Sequence, residues 1–186
     1  MRKSSIATAV FFMLLISTAV PAQVFRTADP IRNGEFHLGV APLLLVNGGT
    51  HAGLFLYGGL GVTNDIGLYL NTRLANDNLS YFGLDLDWSL IRGAPSLSLI
   101  TGVHVSHPIA LEGTLNITFP IRHVLDLYMG VDMDVEITHG DTYVPVWFFM
   151  GPQIPIQRNV VLLLEVGLGI TDPAPNIIGV GLGFFL

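Results

Sequence analysis

The sequence predicts an all-β fold: a closed, antiparallel, up-and-down transmembrane β-barrel of about ten strands, with eight as the smaller closed alternative. Three observations carry this prediction. Apolar residues recur with period two along most of the chain. The segments that show it run to about 10–13 residues, longer than the roughly five or six usual in soluble sheets. The chain also has too little charge to coat a soluble surface: charged residues are 12% and hydrophobic residues 51% of 186, where an ordinary soluble domain is roughly 25% charged.

Residues 1–22 have the layout of a secretory signal peptide. Arg2 and Lys3 open it, an apolar run fills 6–20, and Val20-Pro21-Ala22 offers small residues for cleavage before Gln23. An uncleaved anchor is the other reading, but the run is shorter than the about 20 apolar residues of a membrane helix. No cysteine follows the site, which excludes lipid attachment there. Residues 23–34 are expected as an N-terminal periplasmic segment, and 35–186 as the barrel.

The chain has a formal net charge of −6, and removal of the signal would take away Arg2 and the only lysine, Lys3, but no acid. That composition carries no electrostatic footprint for nucleic acid. The absence of cysteine removes disulfides, thiolate chemistry and cysteine-bound metals together. No later segment approaches the ~18 consecutive apolar residues of a spanning helix, so any crossing is made by strands.

The strand candidates follow in order. Segments 35–46 and 51–62 are apolar and interrupted by glycine. Over 64–74, Ile66, Leu68, Leu70 and Leu74 alternate with Asp65, Gly67, Tyr69, Asn71 and Arg73. Over 79–91, Phe82, Leu84, Leu86, Trp88 and Leu90 alternate with Tyr81, Gly83, Asp85, Asp87 and Ser89. Segment 96–106 sets Leu97, Leu99, Val103 and Val105 against Ser98, Gly102 and His104, and 111–121 sets Leu115, Ile117, Phe119 and Ile121 against Glu112, Thr114, Asn116 and Thr118.

Segment 125–137 is the clearest: an unbroken apolar set from Leu125 to Ile137 interleaves with Asp126, Tyr128, Gly130, Asp132, Asp134 and Glu136. A helix would scatter both sets around its circumference, whereas a strand gives each its own face. Segment 144–156 contains Pro145, Pro152 and Pro155, which predicts an edge strand or a bulged one. Segment 160–171 puts Glu165, Gly167 and Gly169 on one face. The last, 177–186, sets Ile178, Val180, Leu182, Phe184 and Leu186 against Gly179, Gly181 and Gly183. The turns between them are short, such as Asn47-Gly48-Gly49, Arg122-His123 and Arg158-Asn159, and leave room only for antiparallel hairpins.

A barrel with one apolar face can turn it inward, as a soluble lipocalin-like cup does, or outward, as a membrane barrel does. The other face decides. It is largely Gly, Ser, Thr, Asn, Asp and Tyr, which suits a narrow lumen better than a solvated exterior. The segment lengths also match the about 9–11 tilted residues that cross a hydrocarbon core.

The end of the chain carries a family resemblance. Gly181, Phe184 and Leu186 resemble the C-terminal insertion signal of outer-membrane β-barrel proteins, with Leu186 in place of the commoner Phe; small barrels of the OmpX and OmpW kinds look similar in plan. The resemblance implies a Gram-negative outer membrane, both termini in the periplasm, and an even strand number. It also implies periplasmic turns at Arg92, Arg122 and Arg158, with outer-membrane lipid and the barrel-assembly machinery as partners.

The candidate functional residues are lumen-phase acids: Asp85, Asp87, Glu112, Asp126, Asp132, Asp134, Glu136 and Glu165. Crowded carboxylates bind cations, pair with arginine or take up protons. Arg73 is the only lumen-phase arginine of the five central strands, so arginine pairing within the strands cannot serve them all. Asp85 and Asp87 resemble the paired aspartates of omptin proteases, but this chain is shorter and has no Asp-x-His, so no role is carried over. His104, Ser106 and a neighbouring aspartate are the candidates for a lipid-modifying enzyme, since a base must reach its nucleophile directly.

No catalytic motif is present, and no cofactor-binding or metal-ligand set is identified. The expected function is a non-enzymatic outer-membrane barrel, either structural or a narrow pore for small solutes and cations. An enzyme at the outer rim and a soluble lipocalin-like binder are the alternatives.

Overall fold

The computed structural model describes residues 24–46, 50–75, 81–105, 109–122, 124–138, 141–172 and 174–186. The segment expected as a signal peptide, with its cleavage site, lies outside this set, as do Ser106 and several turn residues.

Each predicted segment of the barrel forms a strand: β1 (Phe36–Val46), β2 (Thr50–Gly61), β3 (Ile66–Ala75), β4 (Tyr81–Ile91), β5 (Ser96–Val105), β6 (Ile109–Ile121) and β7 (Leu125–Thr138). They continue with the short β8 (Asp141–Tyr143), then β9 (Val146–Gln157), β10 (Val160–Gly169) and β11 (Asn176–Phe185). The sheet order is β6-β5-β4-β3-β2-β1-β11-β10-β9-β7, and β6 pairs with β7, which closes the sheet. Every pairing is antiparallel. Since β8 pairs only with the tip of β7 and leads into β9, it completes a stave rather than adding one. The result is the predicted ten-stave up-and-down barrel, with β1 against β11 as its seam.

Prolines shape the β8–β9 stave. The chain breaks at Val144-Pro145, where proline has no N–H to give the ladder, and the Pro145 carbonyl accepts from the Asp134 amide at 3.1 Å. Farther along, Val160 pairs with Gln157 but Val161 with Pro155, so the register slips around Ile156. The stave is therefore bulged, as its prolines predict. It is not an edge, because a closed sheet has none.

The apolar rows face outward. Leu70 and Leu84, partners in register, are 53% and 47% exposed, while their inward neighbours Asn71 and Asp85 are 3% and 1% exposed. The same alternation runs through β4 and β6 and is repeated in β11. A lipocalin-like cup needs the opposite orientation, so that alternative is overturned: these leucines, with Trp88, Leu115 and Val131, form an apolar exterior. Only a solvent as apolar as lipid makes such a surface stable in a closed barrel.

The interior has two sides. Strands β1, β2, β9, β10 and β11 contribute mainly Ala41, Leu43, Phe55, Trp147, Phe149, Leu163 and Ile177, together with glycines. Strands β3 to β7 contribute Asn71, Arg73, Asp85, Asp87, Glu112, Asn116 and the acids of β7.

The sequence gives no position within the barrel to the segment 23–34 that it expects on the periplasmic side, and the structure supplies one for much of it. Val24, Phe25, Arg26, Thr27, Ala28 and Ile31 are buried inside the bore. The segment leaves β1 at the end of the barrel where the chain terminates and turns back at Gly34. There φ is +81°, a left-handed conformation that costs glycine nothing, and the Gly34 amide donates to the Gly61 carbonyl at 2.8 Å. Residues 24–31 then run up the lumen. The physical reason is complementarity: the segment offers an apolar ring and a guanidinium side by side to a bore that has an apolar side and an acidic side.

Candidate functional site

The lumen and the segment within it form the candidate site. Phe25 lies on the glycine-rich side. Its ring is 6.0 Å from that of Phe55, and it covers Gly179 so closely that a Cβ there would overlap the ring. Arg26 points the other way. Its guanidinium forms an ion pair with Asp85, to which Asn71 Nδ2 also donates, and it lies 4.1 Å from the centroid of the Tyr69 ring, a cation–π contact.

An irregular backbone inside a barrel needs partners for its polar groups, and the wall supplies them. The Phe25 amide donates to Glu165 Oε2 at 2.8 Å. Asn116 Nδ2 donates to the Arg26 carbonyl at 2.9 Å, and the Ala28 amide donates to Thr118 Oγ1 at 2.8 Å. The segment is thus bound by side chains of β4, β6 and β10 at once and fills the middle of the bore. Below it, a cavity of about 690 Å³ opens at the terminal mouth, lined by Thr27, Asp29, Arg32, Arg158 and Phe185 among others.

The structure places seven of the eight lumen-phase acids deep inside: Asp85, Asp87, Glu112, Asp132, Asp134, Glu136 and Glu165 are all buried. Asp126 shares their phase but sits at the terminal mouth, partly exposed, where Gln153 Nε2 donates to it at 3.5 Å. The acids differ in what they hold. Asp85 and Glu165 grip the segment. Asp132 accepts from Thr114 Oγ1. Glu112 and Asp134 face each other across the β6–β7 ladder, with His104 beside both.

One residue of the candidate site, Arg26, escapes the sequence reading, and another, His104, is read there without its partners. Arg26 lies in a stretch without strand period, although the surplus of lumen acids over lumen cations was the signal that a cation was owed from elsewhere. His104 is visible as a lumen residue, but its meeting with Glu112 depends on register. Of the enzyme candidates, His104 is 1% exposed and Ser106 lies outside the described residues.

The insertion-signal residues separate by face: Gly181 points inward near Ala41 and Phe25, and Phe184 points outward. Leu186 closes the seam by exchanging backbone hydrogen bonds with Phe36 at 2.9 and 3.1 Å.

No protein-family model matches this chain, and no curated protein matches it. Among solved structures it is similar to the KdgM porin, with a TM-score of 0.47 at 10% identity, covering 78% of this chain and 98% of that one. It is also similar to the outer-membrane protein OprG from Pseudomonas aeruginosa, with a TM-score of 0.43 at 11% identity over 87% and 99% of the two chains. De novo designed transmembrane β-barrels score 0.46 at 12% identity over 83% and 98%. The class that the architecture defines is the transmembrane β-barrel.

Proposed function

We propose that this chain is an exported, non-enzymatic outer-membrane β-barrel whose bore is held shut by its own N-terminal segment, so that its resting role is structural. The observation that carries the reading is Arg26, buried at the centre of the bore against Asp85 and Tyr69. Burying a guanidinium is costly unless it is paired, and here pairing it closes the path. The apolar exterior supports a bilayer location, and the residues Gly181, Phe184 and Leu186 support delivery by the barrel-assembly machinery. An enzyme at the rim would need a base open to substrate, whereas His104 is enclosed.

A second reading, a narrow cation pathway that opens when the segment withdraws, is favoured by one observation: the polar wall left behind is acidic, with Asp85, Asp87, Glu112 and Asp132 along it. Planar-bilayer conductance tests both. The intact protein is expected to be electrically silent, and a variant with Arg26→Ala and Phe25→Ala to show small cation-preferring steps. Steady open channels from the intact protein would sink the closed-bore reading. Silence from the variant would leave the barrel structural only. For the location, fractionation should find the protein in the outer membrane with heat-modifiable gel mobility; recovery from the soluble periplasm would refute it.

A further inference from the structure

We propose that His104, Glu112 and Asp134 form a binding site for a divalent transition-metal ion of the zinc or cobalt kind inside the lumen. The register of three adjacent strands assembles it. Glu112 of β6 is the direct cross-strand partner of Asp134 of β7, and His104 of β5 is paired with Ala110, two residues from Glu112. Because all three are in the inward phase, they point into one space, and Ala110 leaves room for it. One ligand atom from each residue lies within 4.8 Å of the other two.

The three side chains approach one another without meeting. His104 Nδ1 is 3.9 Å from Glu112 Oε2, and His104 Nε2 is 3.8 Å from Asp134 Oδ2. Both exceed hydrogen-bond length. Among the described residues, neither ring nitrogen of His104 and neither carboxylate oxygen of Asp134 has a hydrogen-bond partner, although the two residues are only 1% and 0% exposed. An imidazole binds one ion through one nitrogen, and ligands held at about 2.0–2.2 Å by a tetrahedral ion stand roughly 3.3–3.6 Å apart, so the ring would present a single nitrogen and both carboxylates would swing inward to share the ion.

Charge argues the same way. Two carboxylates directly opposite each other on adjacent strands repel, and a buried charge needs a counter-charge. The nearest pairing of Arg26 is already with Asp85. A divalent ion answers both carboxylates at once, and an imidazole nitrogen in the donor set favours zinc, cobalt, nickel or copper over calcium or magnesium. A neighbouring ring holds the imidazole in place, since Tyr81 packs edge-on against His104 with centroids 4.8 Å apart. Glu112 shares a ladder row with Asp85 across Gly102, so the site adjoins the seated Arg26, and it does not depend on whether the bore conducts.

The test is equilibrium dialysis of the intact, detergent-solubilised barrel against Zn²⁺, with Co²⁺ for absorption spectroscopy. The expected result is one ion per chain and a Co²⁺ spectrum that carries nitrogen and oxygen ligation. His104→Ala and the isosteric Asp134→Asn should each weaken binding about tenfold or more, whereas Asp87→Asn, elsewhere in the lumen, should leave it unchanged. Heat-modifiable mobility identifies which variants are folded. Absence of a stoichiometric ion in the parent overturns the site. So does binding that survives in folded Asp134→Asn and His104→Ala, or that falls equally in Asp87→Asn.

Discussion

Arg26 and Phe25 are neighbours in sequence that serve opposite walls of the bore. Replacing Arg26 by alanine leaves Asp85 buried beside Asn71 without its cation, a change that typically costs about 3–5 kcal/mol when one partner of a buried pair is lost. That cost falls on the seated segment. The chain has no cysteine, so Val24→Cys gives a single thiol that reports on seating. It is expected to label slowly in the parent barrel and about 100-fold faster or more when combined with Arg26→Ala. Unchanged labelling would mean that the ion pair does not hold the segment. Arg26→Lys should restore only part of the protection, because an ammonium lacks the planar fork that meets a carboxylate while lying over a ring. Gly179→Val acts from the wall side: its side chain needs the space of the Phe25 ring, and the same thiol should become reactive without any change of charge.

The strands were legible from the sequence because their two faces differ chemically at almost every step; Asp85 and Asp87 between Leu84, Leu86 and Trp88 could not share a face with them. The bulge in β9 was legible too, since Pro155 removes a ladder donor whatever lies around it. Residues 24–31 were not, because their conformation is set by the cavity that receives them and by no period of their own.

The candidate site divides in the same way. The acids of β4, β6 and β7 are readable as lumen residues one strand at a time. That Glu112 meets Asp134, or that Glu165 accepts the Phe25 amide, depends on register and on a segment distant in sequence. At this scale the apolar exterior makes its own prediction. Leu84→Arg, in the middle of β4, should destabilise the barrel in lipid vesicles by about 2–4 kcal/mol, and Ile91→Arg at the strand end by about 0–1 kcal/mol. Chemical unfolding measured on both variants checks this, and equal costs at the two positions would contradict a bilayer-spanning orientation.

The whole molecule is a closed wall with a filled centre. Deleting residues 24–31 should leave the ten staves and their heat-modifiable mobility intact, since among the described residues no ladder pairing involves the segment, while exposing the acidic wall to solvent. The shortened barrel is expected to pass small cations in planar bilayers, and loss of the folded band instead would show that the segment is part of the core.

The turn at Gly34 has one more consequence. It ties the segment to β1 by a few residues, so the segment meets its binding groove as a tethered ligand, at an effective concentration on the order of millimolar. Seating that protects a thiol about 100-fold at that concentration corresponds to a Kd of about 10 μM or below, so a free peptide with the sequence of residues 24–31 should block the shortened barrel at about 10 μM. Contacts that would be only moderately strong between separate molecules keep this bore occupied almost all the time, because the ligand never diffuses away.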